Sequence, residues 1–247
     1  DQAMENMGYY YFDPDYLIFE ADSAVGDHRV ELNILLKYDN PEKAHEVFKI
    51  GKIYVAEDFK LDSYHPDTVQ HGEYSVLTMD NYMKPEILLN AVFLHEDSIY
   101  SKRMHNYTLR YLQGLGAYKY VNAKYTESSN KPNTLDAFLT LSPSQKMSVS
   151  AELNAVSKSN NFAGPGMRLG FKSKNFFRGA ELFSVNLSGR FEKQSTKDDG
   201  GDTAYELSID TQLDIPRNYP FKSKKIARPY VPFTSIKLGT GVYSRVS

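Results

Sequence analysis

The chain has 247 residues, with 29 basic and 31 acidic side chains and a formal net charge of −2. This balance gives no basic excess for binding nucleic acid and no acidic excess of the kind that keeps chains disordered. Because the chain has no cysteine, disulfides, thiolate metal sites and cysteine nucleophiles are excluded.

A helix and two strands are predicted at the start of the chain. Residues 2–7 form the helix, and Gly8 is a plausible glycine at its C-terminal end. In the strands 16–21 and 30–36 the apolar residues alternate, so each strand has one apolar face. The polar loop that joins them contains Gly26 and completes a hairpin. The order is helix, strand, strand.

The same order recurs between residues 45 and 143, now preceded by a strand and another helix. Pro85 opens the first helix, since proline is favoured in a first turn, and Ser101 is a candidate N-cap for the second. Gly114 and Gly116 close that second helix. The segment is therefore a β-α-α-β-β unit, and residues 1–39 supply the last three elements of another such unit. The remaining predicted elements are strand 46–56, an inserted loop or hairpin at 60–82, helix 85–93, and strands 118–126 and 134–141.

From about residue 146 the pattern becomes a long alternation of apolar with small polar or charged residues. There are five such stretches, and links between them at 160–166, 194–202 and 216–229 are polar or Gly/Pro-rich. Gly164-Pro165-Gly166 is predicted to be a turn. Long stretches with one apolar and one polar face are typical of transmembrane β-barrel strands. The alternating apolar positions are Met147, Val149, Ala151, Leu153, Ala155; Met167, Leu169, Phe171; Phe183, Val185, Leu187, Phe191; Tyr205, Leu207, Ile209, Leu213, Ile215; and Ile236, Leu238, Val242.

A soluble antiparallel sandwich would also alternate, so period alone leaves both architectures open. Two features favour the membrane. The stretches exceed the usual soluble strand length of about 5–6 residues. Their apolar side chains are modest in size, and their polar faces are rich in Ser, Asn and Gly.

The other candidate sites are better explained without a catalytic or metal-binding role. Residues 197–202 lack the spaced ligands of a calcium loop and are predicted to be a solvated turn. Glu57 and Asp58 are adjacent carboxylates and are predicted to form a solvated strand end, not an opposed acid–base pair. No nucleophile elbow, P-loop or dinucleotide motif is present, so no enzyme, metal site or cofactor is predicted. Six histidines without metal-ligand spacing are predicted to lie on the surface or in loops: His28, His45, His65, His71, His95 and His105.

Several segments together resemble the BamA/TamA superfamily of outer-membrane assembly factors, and more narrowly its TamL branch from Bacteroidetes. The β-α-α-β-β unit resembles a POTRA domain. The stretch from Ile99 to Val121 is similar to the family's helix leading into an edge strand. The stretches 164–170 and 174–181 resemble its first barrel hairpin, and 213–217 with Pro220-Phe221 and Pro232-Phe233-Thr234 resemble the next strand pair.

The resemblance implies an α+β POTRA fold followed by an incomplete antiparallel transmembrane β-barrel. Residues 1–40 would be the C-terminal part of one POTRA domain, 45–143 a complete one, and 146–247 the first barrel strands. A complete member closes with more strands than this chain holds, so the resemblance implies a fragment. It places the barrel in the bacterial outer membrane and the POTRA domains in the periplasm.

The resemblance also implies an assembly factor that inserts outer-membrane proteins. Its partners would be unfolded outer-membrane protein clients, outer-membrane lipid and accessory envelope proteins, with no nucleic acid. A two-partner-type secretion pore of the same architecture and a plain outer-membrane channel are the alternatives.

Two strands are the candidate sites. The POTRA edge strand would add an extended client strand through main-chain hydrogen bonds, although Lys119 and Lys124 could equally block pairing. The first barrel strand would form a lateral gate, although it could equally be a plain barrel strand. The edge strand comprises Tyr118, Lys119, Tyr120, Val121, Asn122, Ala123, Lys124 and Tyr125, and the gate strand Met147, Ser148, Val149, Ser150, Ala151, Glu152 and Leu153.

Overall fold

A computed structural model of the chain describes residues 2–22, 30–57, 67–78, 82–195, 201–220 and 230–246. The chain divides into two compact units. The first comprises residues 1–79, 89–110 and 121–141, and the second residues 80–88, 111–120 and 142–247. Among the described residues, no helix is both long enough and apolar enough to cross a membrane.

The first unit begins with the predicted helix and pair of strands, and the predicted loop between the strands, with Gly26, lies outside the described residues. Helix α1 (Gln2–Asn6) is followed by Gly8, whose φ of 102° is open to glycine. Strands β1 (Leu17–Asp22) and β2 (Glu31–Leu36) pair antiparallel. Their register sets Phe19 opposite Ile34, so the apolar faces predicted for the two strands coincide.

A five-stranded sheet forms the core of the β-α-α-β-β segment. Strand β3 (Lys49–Glu57) lies at its centre. On one side β3 pairs parallel with β7 (Thr134–Pro143), which is followed by the outermost strand β6 (Tyr118–Glu127). Alternate residues of β3 and β7 are buried, as expected of strands that have one face on the core. The fully buried side chains include Ile53, Val55, Leu135, Leu139 and Leu141.

The predicted insertion is a hairpin. Strands β4 (Asp67–His71) and β5 (Tyr74–Thr78) pair antiparallel around Gly72, which has a φ of 62°. Strand β5 then pairs parallel with β3. The sheet order is therefore β4-β5-β3-β7-β6. The hairpin thus pairs with the edge of β3 that lies opposite β7.

Helix α2 (Pro85–Leu89) begins at the predicted proline but ends four residues before the predicted Phe93. The residues from 91 to 94 are buried in a turn and the irregular chain that follows it, and the Phe93 N–H donates to the Thr108 hydroxyl at 3.0 Å. The prediction of a longer helix was wrong because this apolar run packs as core without a helical period.

Helix α3 (Lys102–Gly114) follows Ser101 as predicted, but the capping side chain is a distant one. Asn6 Oδ1 accepts the Arg103 N–H at 2.7 Å and the Ser101 hydroxyl at 3.0 Å. An asparagine oxygen at this point satisfies a first-turn amide that the helix itself leaves open.

The second unit holds a five-stranded antiparallel sheet in which each strand pairs with the next one along the chain. Its first strand has 11 residues and the other four have 13 each. They are β8 (Met147–Ser157), β9 (Phe162–Lys174), β10 (Leu182–Gln194), β11 (Thr203–Ile215) and β12 (Thr234–Val246).

Residues 164–166 are not the predicted turn but part of β9. Pro165 pairs opposite Ala155 of β8, while the ladder to β10 is interrupted near it, as the missing N–H of proline requires. Gly164 is required here because a Cβ would collide with the Phe191 carbonyl of β10. The chain reverses direction between β8 and β9 instead around Asn161, whose φ is 64°.

Candidate membrane face and client-binding strands

The register of the second sheet brings the alternating apolar residues of all five strands onto one side. Five rows cross the sheet, each with one residue from every strand, and we call this side the apolar face. From the Met147 end the rows are Met147, Ser173, Phe183, Leu213, Ile236; Val149, Phe171, Val185, Thr211, Leu238; Ala151, Leu169, Leu187, Ile209, Thr240; Leu153, Met167, Gly189, Leu207, Val242; and Ala155, Pro165, Phe191, Tyr205, Ser244.

The apolar face is open over the described part of the chain. Val149 is 78% exposed, Leu153 83% and Leu238 77%. Soluble monomers rarely expose a contiguous apolar surface of this extent, and such a surface indicates a membrane or protein partner. In the described residues the five strands form one sheet, and the large apolar side chains of its end strands β8 and β12 are exposed.

The intervening residues form the polar face, which is held together by hydrogen bonds and ion pairs. The Ser188 and Ser208 hydroxyl oxygens lie 2.6 Å apart. Arg190 donates to Glu206 at 2.9 Å, and Lys158 donates to the buried Glu192 at 2.6 Å. A charged surface with internal pairs suits a wet interior better than it suits hydrocarbon.

The glycines of β9 and β12 lie on the polar face. Neighbouring side chains occupy the space that a Cβ would need, with Asn154 beside Gly166 and Asp210 beside Gly239. Glycines in sheets mark bends and close approaches of this kind. Their concentration on one side favours a sheet that curves toward that side, as the interior of a barrel requires.

Strand β8, the predicted gate strand, is an end strand of this sheet and pairs only with β9 among the described residues. Met147, Val149, Ala151 and Leu153 lie on the apolar face, and Ser148, Ser150 and Glu152 on the polar face. All seven are exposed. The position at the end of the sheet is the one that a gate would need, and the role itself stays a prediction.

Strand β6, the predicted client-binding strand, lies at one end of the other sheet. Within it, Tyr120, Asn122 and Lys124 are exposed, while Val121, Ala123 and Tyr125 are partly covered. The Lys119 ammonium lies 5.0 Å from the Tyr120 ring centre, and Tyr118 is buried. Residues 118–120 belong to the second unit and 121–125 to the first. Client binding by this strand stays a prediction.

An aromatic cluster supports β6 at Tyr125. The ring centres of Tyr10 and Tyr100 lie 5.7 and 5.4 Å from that of Tyr125, in edge-to-face arrangements. His105 Nδ1 lies 2.9 Å from the Tyr125 hydroxyl oxygen. The prediction of a surface or loop position was wrong for His105, because it lies on the partly covered side of α3. Helical spacing from Leu109 and Leu112 was the signal that could have placed it there.

The cluster predicts a loss of stability in acid. Burial lowers the pKa of His105, Lys102 adds to this effect, and Glu5 opposes it. The unfolded chain therefore binds the proton more readily than the folded one, and stability decreases as pH falls below about 6.5. We expect the unfolding midpoint, followed by tyrosine circular dichroism, to drop between about pH 7 and pH 5. In His105→Gln the drop should shrink, and an unchanged drop would contradict the assignment.

The described residues bring together no group of three metal-ligating side chains. His95 is paired with Glu73 at 2.7 Å, beside the β4–β5 turn. Glu57, at the end of β3, is buried, so the prediction of a solvated strand end was wrong for this residue. Some of the sequence predictions fall outside the described residues, namely those for His28, His65, Asp58 and residues 197–200.

No protein-family model and no curated protein sequence matches the chain. Solved structures do match it. One is the crystal structure of BamA from Haemophilus ducreyi lacking POTRA domains 1-3, at 11% identity and a TM-score of 0.44, covering 99% of this chain and 42% of that chain. Another is CdiB from Acinetobacter baumannii, at 11% identity and a TM-score of 0.40, covering 97% and 43%. The chain thus spans less than half the length of either structure.

Proposed function

We propose that the chain is part of a bacterial outer-membrane assembly factor of the BamA/TamA superfamily, of the TamL-like type. The observation that supports this most strongly is the alignment of five apolar rows across five strands, opposite a polar face. A sheet with one face for hydrocarbon and one for water is what a transmembrane barrel wall requires.

The dimensions of the apolar face fit this proposal. Two residues advance a strand by about 6.7 Å, so five rows extend for about 27 Å along the strands. A strand tilt of about 40° reduces this to about 20 Å along the membrane normal, close to the apolar band of about 25 Å in outer-membrane barrels. Five strands are too few to close, since about eight is the smallest useful number, so the barrel would need further strands.

The first sheet supports a periplasmic POTRA domain at residues 45–143. Leaving out the β4–β5 hairpin, its elements follow the order strand, helix, helix, strand, strand. In the sheet, β7, which is the last of these three strands along the chain, lies between β3 and β6. We propose that β6 captures unfolded outer-membrane proteins by pairing with an extended client segment. Main-chain hydrogen bonds depend little on client sequence, which suits a factor with many clients. Residues 1–40 would then end a preceding POTRA domain.

Strand β8 would act next. As an end strand in the membrane it offers a template on which a client strand can pair before entering the lipid. Folding into the bilayer is itself favourable, so this step needs no cofactor or nucleotide. Outer-membrane lipid and accessory envelope proteins would be the remaining partners.

Depletion of the full-length protein tests the assignment. We expect many unrelated barrel proteins to decline together in the outer-membrane proteome, because an assembly factor serves a class of clients. Loss of a single secreted protein would indicate a two-partner secretion pore instead. A proteome that changes in neither way, with only small-solute permeability reduced, would indicate a plain channel.

A further inference from the structure

The turn between β9 and β10, residues 175–181, has an unusual backbone. Asn175, Arg178 and Ala180 have φ values of 54°, 63° and 66°. Left-handed backbone is unfavourable for residues with a side chain, and for alanine there is no side-chain hydrogen bond to offset it. Three such residues within seven persist only where surrounding contacts hold them in place.

Glu181 provides one set of these contacts. This carboxylate is buried and accepts the N–H groups of Gly179 at 2.9 Å and Phe177 at 3.3 Å. Arg217, which follows β11, lies 3.4 Å from its other oxygen. The carboxylate thus fixes the interior of the turn and is itself neutralised.

Asn175 provides the second set. It is buried, its Oδ1 accepts the Ala180 N–H at 3.0 Å, and its Nδ2 donates to the Tyr82 carbonyl at 2.6 Å. The Lys84 N–H donates to the Arg178 carbonyl at 2.9 Å. The turn is therefore fixed to the segment before α2, which belongs to the same unit.

This rigid turn presents two aromatic rings to the outside. Phe176 is 42% and Phe177 56% exposed, and their ring centres lie 4.8 Å apart. The Phe176 ring also lies 4.9 Å from that of Phe183, which is in the first row of the apolar face. The pair thus continues the apolar face beyond the strand ends. It does so at the end where the chain enters the sheet, because the Lys174 N–H donates to the Lys146 carbonyl there.

We infer that Phe176 and Phe177 are an aromatic anchor that lies in the headgroup–acyl boundary of the membrane, at the end of the sheet where the chain enters it. The inference rests on the proposed membrane location of the apolar face. Aromatic rings concentrate at this boundary in membrane proteins, in girdles at the rims of barrels. A strained turn held by two buried polar side chains positions the rings where the boundary lies, instead of letting them fold back onto the sheet.

A single introduced tryptophan tests the anchor, since these 247 residues contain none. Phe177→Trp and, separately, Phe176→Trp are made in the protein reconstituted in phosphatidylcholine–phosphatidylglycerol vesicles. Lipids brominated near the headgroup or near the acyl-chain end then report depth by quenching. Leu187→Trp, in the middle row of the apolar face, is the matched control. We expect the anchor tryptophans to be quenched mainly by the shallow lipid, by about twofold, and Trp at position 187 mainly by the deep one.

The possible outcomes separate the anchor from the function it rests on. If the control is quenched but neither anchor variant is, and both emit as in water, the anchor is overturned while the membrane face stands. If anchor variants are quenched mainly by the deep lipid, the boundary position is overturned. If none of the three is quenched in correctly folded protein, the membrane face itself fails.

Discussion

Leu187→Arg is expected to prevent stable assembly in the membrane. Leu187 lies in the middle row of the apolar face, between Leu169 and Ile209. An arginine at the bilayer midplane on the lipid side of a barrel costs about 2–4 kcal/mol. That is a large share of the stability of a typical domain. We expect most of the protein to be lost from the outer-membrane fraction and to become sensitive to protease, measured by fractionation and immunoblotting.

Asn186→Arg is the matched control. Asn186 is the preceding residue of the same strand, on the polar face between Gly170 and Asp210. The Asn186 side chain already lies over Gly170, and the Asp210 carboxylate on the next strand offers a partner for a guanidinium. This variant should assemble like the parent. Equal assembly of both variants would show that the apolar face does not meet lipid, and equal failure would point to a general sensitivity of β10.

Ala123→Pro is expected to weaken client capture by about three- to tenfold. The Ser128 N–H donates to the Thr134 carbonyl of β7, and amides alternate in direction along a strand. Counting back from Ser128 places the Ala123 amide on the open side of β6. Proline removes this donor, and a net contribution of about 0.5–1.5 kcal/mol per hydrogen bond gives the expected change in Kd. Fluorescence anisotropy of a labelled, unfolded barrel-protein peptide measures it.

Ala123→Thr keeps the amide and has a good strand propensity, so its affinity for the same peptide should match that of the parent. Near-ultraviolet circular dichroism checks that both variants retain the sheet. An unchanged Kd for the proline variant, with the sheet intact, would remove the amide from the capture mechanism. Equal weakening in both variants would indicate that the side chain at this position matters and not the N–H.

The alternating segments could be predicted from sequence because their signal is local. Leu17, Phe19 and Ala21, or Val149, Ala151 and Leu153, mark the face of their own strand regardless of what pairs with it. Loop lengths then favour antiparallel neighbours, and the five-strand order of the second sheet follows. Strands β6 and β8 were located as strands in the same way, whereas their selection as candidate sites came from the resemblance to the family; both lie at the ends of their sheets.

Features that depend on distant residues could not be predicted in this way. The cap of α3 is Asn6, nearly a hundred residues away along the chain. Pro165 indicated a turn by composition, yet it fits within β9 because the ladder can be interrupted on one side. His105 lacks a sequence neighbour that marks its contact with Tyr125. The backbone of residues 175–181 depends on Tyr82 and Arg217, which nothing in the turn's own sequence indicates.

The β4–β5 hairpin makes the two edges of the first sheet different. Without it, β3 and β6 would both be edge strands, of nine and ten residues. With it, β3 is flanked by β5 and β7, and the edge opposite β6 in the described residues is β4. The hairpin thus closes β3 to pairing with another chain, and under the proposed function it leaves β6 as the longer edge for a client segment in the described part of the sheet. Closing β3 also removes one of the two long edges through which copies of the domain could pair edge to edge.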